Sequence, residues 1–518
     1  MSEMVDIFVP LEALDESVKT VVAHALGREK TRIGEFRVVR RSLDARKQRR
    51  LGYRMRVEVA RPGESLTSVR SGLARPSWPV GVPVPRVVVV GSGPAGTWAA
   101  LRLAEAGVAS TILERGKPVG PRRADLASLH RGRLNPESNY CFGEGGAGTY
   151  SDGKLTTRCK DRAAVADVLA DLVALGAPAD IEVDARPHIG SNRLPKLLEV
   201  LRARQQGMGV RYCFDCQFLG VHEEQRRVRA VQTSAGEIPA DIVVLAPGHS
   251  ARDVYAWAEA AHLALQRKDI AVGVRVEHPQ SAIDQLQYGR AAGHPRLPPA
   301  FYELRARGAG RSVYSFCMCP GGWIVPAATE AGGLVVNGMS LAKRNSPFAN
   351  AALVVTVAGS DFGPDAEGAL AGIDFQRRIE EAAFQRGGGG FRAPAQRMVD
   401  FIARRPGDSL PGSSYRPGVE HARFDDVFPP FITEALREGL AAIGRRWPGF
   451  VHDQALLVAA ETRTSAPLRI LRDPQTLESP SLAGLYPAGE GAGYAGGIVS
   501  SALDGARVAA AIINRAVR

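Results

Sequence analysis

Arg86-Val87-Val88-Val89-Val90-Gly91-Ser92-Gly93-Pro94-Ala95-Gly96 decides the fold of this chain. Four consecutive valines predict a strand buried on both faces, as in a parallel sheet. Gly91, Gly93 and Gly96 follow as G-x-G-x-x-G at a strand-to-helix turn. The first glycine permits the tight turn, the second lets backbone approach a pyrophosphate, and the third lets the helix pack closely on the strand. Pro94 suits the first helical position, and Ala95, Ala99, Leu103 and Ala106 share one helical face before Gly107 stops it. A phosphate at such a helix start meets unpaired N–H groups and the positive end of the dipole. Glu114 closes a second strand 23 positions after Gly91, where an acid accepts ribose hydroxyls. Strand, turn, helix, strand and acid in this order predict a dinucleotide site.

Outward from this unit, length and composition set the frame. A chain of 518 residues exceeds one ordinary core and predicts two or three domains. Hydrophobic content of 45% and charged content of 23% belong to a globular protein. The net charge of +12 is mostly scattered arginine. Its densest run, Arg40 to Arg50, is broken by Asp44 and reads as a solvated basic face rather than a nucleic-acid site. No apolar stretch approaches a membrane span, and the start lacks a secretory pattern. Six cysteines without such a signal suit free thiols in a reducing compartment. A cytoplasmic, soluble protein without metal is the expectation.

Taken in order, residues 1–75 predict a small α+β domain with strands at 7–9, 36–39 and 53–59 and a helix at 14–26. This module is expected to dock a protein partner, cover its neighbour or stabilise it. Residues 76–85 carry Pro76, Pro79, Pro83 and Pro85, a linker composition. Residues 86–265 make the first part of the nucleotide domain. In it, Gly143, Gly145, Gly146, Gly148 and Gly153 suit backbone lying against a flat ligand or phosphate, with Thr149, Asp152 and Lys154 beside it. Cys141 reads as a small packed residue. Residues 210–221 and 228–233 predict antiparallel strands. The apolar run 240–245 predicts a buried strand whose end, Ala246 to Gly248, passes the cofactor phosphates. His249 is either a base or a turn histidine.

Residues 266–450 predict a mixed, largely β substrate domain, with strands at 271–277, 314–317, 323–325 and 334–337. Residues 451–518 return to the nucleotide domain. There a strand ends in Gly489 and Glu490, the latter placed for ribityl hydroxyls. Gly496, Gly497 and Ile498 then open a helix aimed at a flavin's pyrimidine edge. Several separated segments converging on one long ligand favour non-covalent FAD over NAD. The glycine run at 387–390 follows no apolar strand. Without a second strand–GxGxxG–helix, NAD(P)H is expected only as a transient donor. Arg115, Arg122, Cys216 and Gln217 complete the candidate cofactor contacts.

The chain resembles the bacterial NAD(P)/FAD-dependent oxidoreductases usually labelled FAD-dependent dehydrogenases. The resemblance rests on Ser42-Leu43-Asp44-Ala45-Arg46, the turn at 91–96, residues 142–155, Pro187-His188-Ile189-Gly190 and residues 248–253. It continues through Gly273-Val274-Arg275-Val276-Glu277-His278, residues 314–322, Asn337-Gly338-Met339-Ser340, Glu461-Thr462-Arg463-Thr464-Ser465 and residues 486–497. Leu43 and Tyr150 are small departures. The resemblance implies an α/β, glutathione-reductase-type Rossmann-like FAD domain interrupted by a substrate domain and preceded by a small N-terminal domain.

For chemistry, Cys317-Met318-Cys319 offers either a dithiol beside the flavin or two sulfurs packed on one strand face. Arg275, His278, Arg344, Arg397 and Arg463 are candidates to line a pocket for an anionic small-molecule substrate. Cys317, Cys319, Arg463 and His278 are the catalytic candidates. The expected activity is hydride transfer between flavin N5 and that substrate. The alternatives are an NAD(P)H-dependent flavin monooxygenase or oxidase, and an electron-transfer flavoprotein with a protein partner.

Overall fold

The structure, a computed structural model, describes residues 2–13, 18–46, 49–61, 63–66, 76–363, 368–407 and 409–516. A five-stranded sheet forms around the four valines. Its order is Leu485–Pro487, Ile242–Leu245, Val87–Val90, Ser110–Leu113, Arg211–Cys213, and every pairing is parallel. Val87 and Val89 enter one apolar core with Leu103 and Ile512. Val88 and Val90 enter another with Phe218 and Tyr255. Both faces are therefore covered, which is why the run does not alternate with polar residues. Helices Pro94–Glu105 and Ile498–Ala516 lie on the first face. They cross so closely that a Cβ on Gly505 would stand 1.9 Å from the Ala95 carbonyl oxygen.

Residues 210–221, expected as one strand, divide in two. Arg211–Cys213 is an edge strand of the parallel sheet, whereas Phe218–Glu224 begins a three-stranded antiparallel meander. Between them Asp215 takes φ 51°, a left-handed conformation that turns the chain.

The second large body is a seven-stranded sheet. Its order is Arg305–Gly308, Arg311–Cys319, Phe348–Val357, Ile270–Pro279, Leu456–Glu461, Ala393–Arg397, Val419–His421. Helices Ala371–Arg386 and Pro430–Arg446 pack on it. Leu456–Glu461 sits mid-sheet, pairing with Ile270–Pro279 and Ala393–Arg397. The segment after 450 thus contributes a strand here before the chain returns, later than the sequence suggested. The crossing is a two-stranded ribbon, Leu265–Arg267 against Leu468–Ile470.

In the N-terminal unit, Gly52–Val59 lies between Glu3–Pro10 and Phe36–Asp44, with helix Val18–Ala25 against them. Residues 14–17 of the expected helix and Lys47 and Gln48 of the basic run fall outside the described residues. The unit docks on both larger bodies. Arg41 exchanges backbone hydrogen bonds with Val183 and Ala185, and the Tyr53 hydroxyl donates to the Arg296 carbonyl at 3.2 Å. No described helix is long and apolar enough to cross a membrane.

Candidate functional site

A cavity of about 2140 Å³ runs between the parallel sheet, the seven-stranded sheet and the N-terminal unit. Its floor is the glycine turn. Gly91 has φ +96°, and a Cβ there would meet the Ala246 oxygen at 2.3 Å. At Gly96 a Cβ would stand 2.0 Å from the Gly91 oxygen, so this glycine serves packing and lies off the cavity wall. Gly93 has open space where a Cβ would be, and it faces the cavity with Pro94 and Ala95. Gly91 and Gly96 thus sit where only backbone fits, while Gly93 leaves space on the cavity side.

The glycine-rich loop closes over this turn. Gly145 N–H donates to the Ser92 oxygen at 3.0 Å, and Gly146, Gly148, Asp152 and Lys154 face the cavity. Arg122 and Thr149, expected at the cofactor, do not. Arg122 is fully buried behind the loop. Its guanidinium donates to the carbonyls of Asn139 (2.8 Å), Tyr140 (3.1 Å), Glu144 (2.8 Å) and Gly146 (3.0 Å). Burial lowers its pKa, against the opposing pull of the Glu114 carboxylate. Thr149 turns inward to donate to the Glu144 oxygen at 2.8 Å. A planar fork with its donors in fixed directions suits a loop that presents several carbonyls at once.

Glu114 lies on the cavity, as expected, but each of its oxygens is taken. One accepts from Gly116 N–H (3.0 Å) and Gly143 N–H (2.9 Å), the other from Ser92 N–H (3.1 Å) and the Ser92 hydroxyl (2.7 Å). A carboxylate offers about four acceptor positions. Glu114 therefore ties turn, strand and glycine loop together, and a ribose hydroxyl bound here would share an occupied oxygen. Arg115 and Cys216 line the cavity beside it. Gln217 does not, because its amide donates to Asp253 at 3.1 Å.

On the far side, Ala246, Gly248 and Glu490 line the cavity, with Gly496, Gly497 and Ile498 at a helix start. Gly489 is a packing residue. Its N–H donates to Asp504 at 2.7 Å, and a Cβ would stand 2.6 Å from that of Ala95. Burial pushes the Glu490 carboxyl up to about 7, against the pull of Lys268. His249 also faces the cavity, its Nδ1 2.8 Å from the Ser250 hydroxyl, and burial lowers its pKa to about 4. At the start of the Ile498–Ala516 helix, the Ser500 hydroxyl accepts from the Gly496 N–H at 3.2 Å and donates to the Gly497 oxygen at 3.1 Å. The first turn of this helix, with about half a positive charge from its aligned peptides, begins at the cavity wall.

The seven-stranded sheet supplies the opposite wall. Cys317 faces the cavity, whereas Cys319 is fully buried behind it. The two do not share a regular strand face, because the register shifts between Phe316 and Cys319. Lys154 Nζ lies 3.9 Å from Cys317 Sγ and donates to the Met318 oxygen. Burial would raise the Asp152 carboxyl. Lys154, Arg344 at 2.7 Å and the Ser340 hydroxyl hold it below the usual range instead.

Other candidates move away from the cavity. His278 is fully buried in an aromatic cluster with Tyr302 and Phe450, its Nε2 2.8 Å from the Phe450 oxygen. Burial lowers its pKa to about 4. Arg463 pairs with Glu380 at 2.8 Å and donates to the Thr329 hydroxyl at 2.6 Å. It borders only a small side cavity shared with His249 and Cys141. Arg275 is fully buried, bonded to Asn350 and Glu461, and Arg397 pairs with Asp400. Of the five pocket candidates, Arg344 alone lines the main cavity.

The mouth instead gathers cations that local sequence gave no reason to group. Arg40 and Arg41 come from the N-terminal unit, Arg158 and Arg186 follow the glycine loop, Arg305 is on the large sheet and Arg507 on the last helix. Arg41 and Arg186 are ion-paired, to Asp184 and Glu303. Arg40, Arg158, Arg305 and Arg507 have no ion pair among the described residues.

The glycine turn with its open Gly93, the loop folded over it and the helix start at Ile498 define a dinucleotide-binding flavoprotein. The comparisons give the family. Residues 85–130 match the model of an FAD binding domain, and 269–464 match one described as "FAD-dependent protein, C-terminal domain-like". Residues 1–60 match a domain of unknown function. A protein of Clostridium beijerinckii described as uncharacterized is 38% identical over 535 residues, covering 97% of each chain. The chain belongs to this family of FAD-dependent oxidoreductases. Among solved structures, it is similar to a geranylgeranyl bacteriochlorophyll reductase-like protein from Thermoplasma acidophilum. That match has 13% identity, 84% and 79% coverage and TM-score 0.37. L-Proline dehydrogenase from P. horikoshii has 12% identity, 84% and 94% coverage and TM-score 0.35. Likeness of this degree carries no functional argument.

Proposed function

We infer that this chain exchanges a hydride between N5 of non-covalently bound FAD and a small anionic organic substrate. The observation that carries the reading is the large cavity, bounded by the nucleotide turn at one end and arginines at its mouth. The residues present fit the cofactor. Gly93 leaves room for a pyrophosphate, with the N–H groups of the following helix beside it. Glu490 and the helix start at Ile498 line the same cavity, where the first would accept ribityl hydroxyls and the second would meet the pyrimidine edge. We assign the domain to the glutathione-reductase type on these grounds. When bound, FAD supplies the two-electron chemistry, and the protein supplies binding, orientation and electrostatics.

The unpaired arginines at the mouth attract anions and can hold carboxylate or phosphate by two parallel hydrogen bonds. Lys154 and Arg344, fixed by Asp152, place positive charge deeper in. The N-terminal unit, through Arg40, Arg41, Ser42 and Tyr53, forms part of the wall that keeps water out. NAD(P)H is read as a donor visiting this same cavity, since one parallel sheet of the dinucleotide-binding kind occurs among the described residues. The test is cofactor extraction followed by stopped-flow reduction of the holoprotein with NADH, NADPH and a panel of small anionic metabolites. Bound FAD reduced saturably by an anionic metabolite is expected. Protein that binds no FAD on reconstitution would overturn the reading.

A further inference from the structure

The end of strand Arg311–Cys319 departs from its neighbours. Its register against Phe348–Val357 shifts between Phe316 and Cys319, and Cys317 takes φ 47°. That is an uncommon conformation for a residue with a Cβ, of the kind found where a side chain is held for function. A bulge re-aims the side chain it carries. Here Cys317 faces the cavity while the Cys319 thiol, directly behind, donates to the Cys317 carbonyl at 3.5 Å. Two cations bracket the pair. Lys154 Nζ is 3.9 Å from Cys317 Sγ, and Arg275 Nη2 is 3.1 Å from the Cys317 oxygen and 3.8 Å from Cys319 Sγ. Two sulfurs that merely filled a core would need neither the strained backbone nor the charges.

We propose that Cys317 and Cys319 form a dithiol–disulfide couple whose cavity-facing member, Cys317, exchanges with a small anionic disulfide. This rests on reading the cavity as the substrate site. The thiolate is the nucleophile in such exchange. A hydrogen bond from Cys319, whose one thiol proton turns from the Cys317 carbonyl to its sulfur, then Lys154 and Arg275, hold the Cys317 thiol well below its ordinary range against burial, and Cys319 is pushed up. The Cys317 thiolate attacks one sulfur of R–S–S–R′. A bond from Cys317 Sγ to that sulfur forms, the S–S bond breaks and R′S⁻ leaves. Cys319 gives its proton to R′S⁻ and attacks Cys317 Sγ. The Cys317–Cys319 bond forms, RS⁻ leaves, and water protonates it. The protein dithiol loses two electrons and the small disulfide gains them.

The test treats reduced holoprotein with dithiobis-nitrobenzoate, a disulfide carrying a carboxylate on each half, and maps the peptide containing residues 317–319 by mass. Wild type should release both nitrothiobenzoate halves rapidly, leaving that peptide lighter by two hydrogens and free of adduct. Cys319→Ser should release one half and retain the other on Cys317. Cys317→Ser should lose the fast phase. Lys154→Gln should slow exchange at neutral pH by on the order of tenfold, with Lys154→Arg restoring most of the rate. Wild type that retains the adduct on Cys317, or leaves both thiols untouched, overturns the couple. The flavin spectrum of the same samples separates the two readings. Colourless protein with a working couple sinks the cofactor reading alone, and yellow protein with a retained adduct sinks the couple alone.

Discussion

Replacing Arg122 by methionine should loosen the cofactor site without touching a cavity-facing group. The side chain is fully buried and holds four carbonyls of the glycine-rich segment, from Asn139, Tyr140, Glu144 and Gly146. Methionine keeps much of the stem's packing and removes every donor. Hydrogen bonds from a charged donor contribute about 1.5–3 kcal/mol each, so four set an upper bound of about 6–12 kcal/mol. The carbonyls share one donor group, and water can reach Gly146 from the cavity, so the losses do not add. We expect about 3–5 kcal/mol of destabilisation in urea unfolding of the holoprotein, the scale on which buried charged contacts break. The loop is the cofactor's wall, so FAD affinity should fall by at least about tenfold, or ~1.4 kcal/mol. Arg122→Lys keeps the charge but cannot reach four carbonyls from one nitrogen, and should recover less than half of either loss. An Arg122→Met protein within about 1 kcal/mol of wild type, with unchanged FAD affinity, would refute the assignment of this arginine as the clamp on the loop.

The two glycines of the turn should part company. Gly93→Val should fold normally yet fail to bind FAD, whereas Gly96→Val, whose Cβ meets a carbonyl oxygen at 2.0 Å, should lose stability and FAD together; thermal melts and flavin content separate them. The Glu490 carboxyl stands at about 7 in the fold against 4.5 in the unfolded chain, so the folded state holds its proton more tightly. Its contribution is complete below the unfolded value and is lost as pH rises through 7, up to about 3 kcal/mol; Glu490→Gln should flatten that slope in urea titrations of the flavin-free protein. His278→Gln should leave the rate of flavin reduction unchanged and cost about 1–3 kcal/mol of stability, because its ring serves the cap core. Sulfite should bleach the bound flavin, since the helix start at Ile498 favours negative charge beside it; a Gly497→Pro variant that bleaches as readily would contradict this placement.

The parts of the molecule legible in the sequence were those where neighbouring residues impose the geometry. Val87–Val90 and the turn glycines needed only local sterics: the valines are buried on both faces, and Gly91 and Gly96 sit where a Cβ would strike backbone. Arg275 and His278 lie off the cavity for a shared reason. Ile270–Pro279 is the central strand of the large sheet, buried on both sides along almost its whole length. Alternation therefore says nothing about which of Arg275 and His278 faces the cavity, and neither does. Arg122 was misplaced because its partners are backbone carbonyls, whose direction depends on how a distant loop folds. The late return of the chain was hidden because Leu456–Glu461, apolar and ending in an acid, looks locally like the strand that carries Glu490. The left-handed Cys317 has no signature in the letters around it, and the arginine mouth exists only because four segments meet there.

The crossing of helices Pro94–Glu105 and Ile498–Ala516 has a consequence for synthesis. Every strand of the large sheet, from Ile270 to Glu461, precedes Leu485–Pro487 and the final helix in the chain. The substrate wall is thus translated whole before the cofactor sheet has its outer strand, or the glycine turn the helix that packs against Ala95. A nascent chain arrested before Leu485 holds Gly91 to Gly96 without the surface that completes the cofactor's bed. Chains cut short upstream of Leu485 are therefore expected to emerge without bound flavin, which flavin fluorescence of a chain truncated at residue 484 would check.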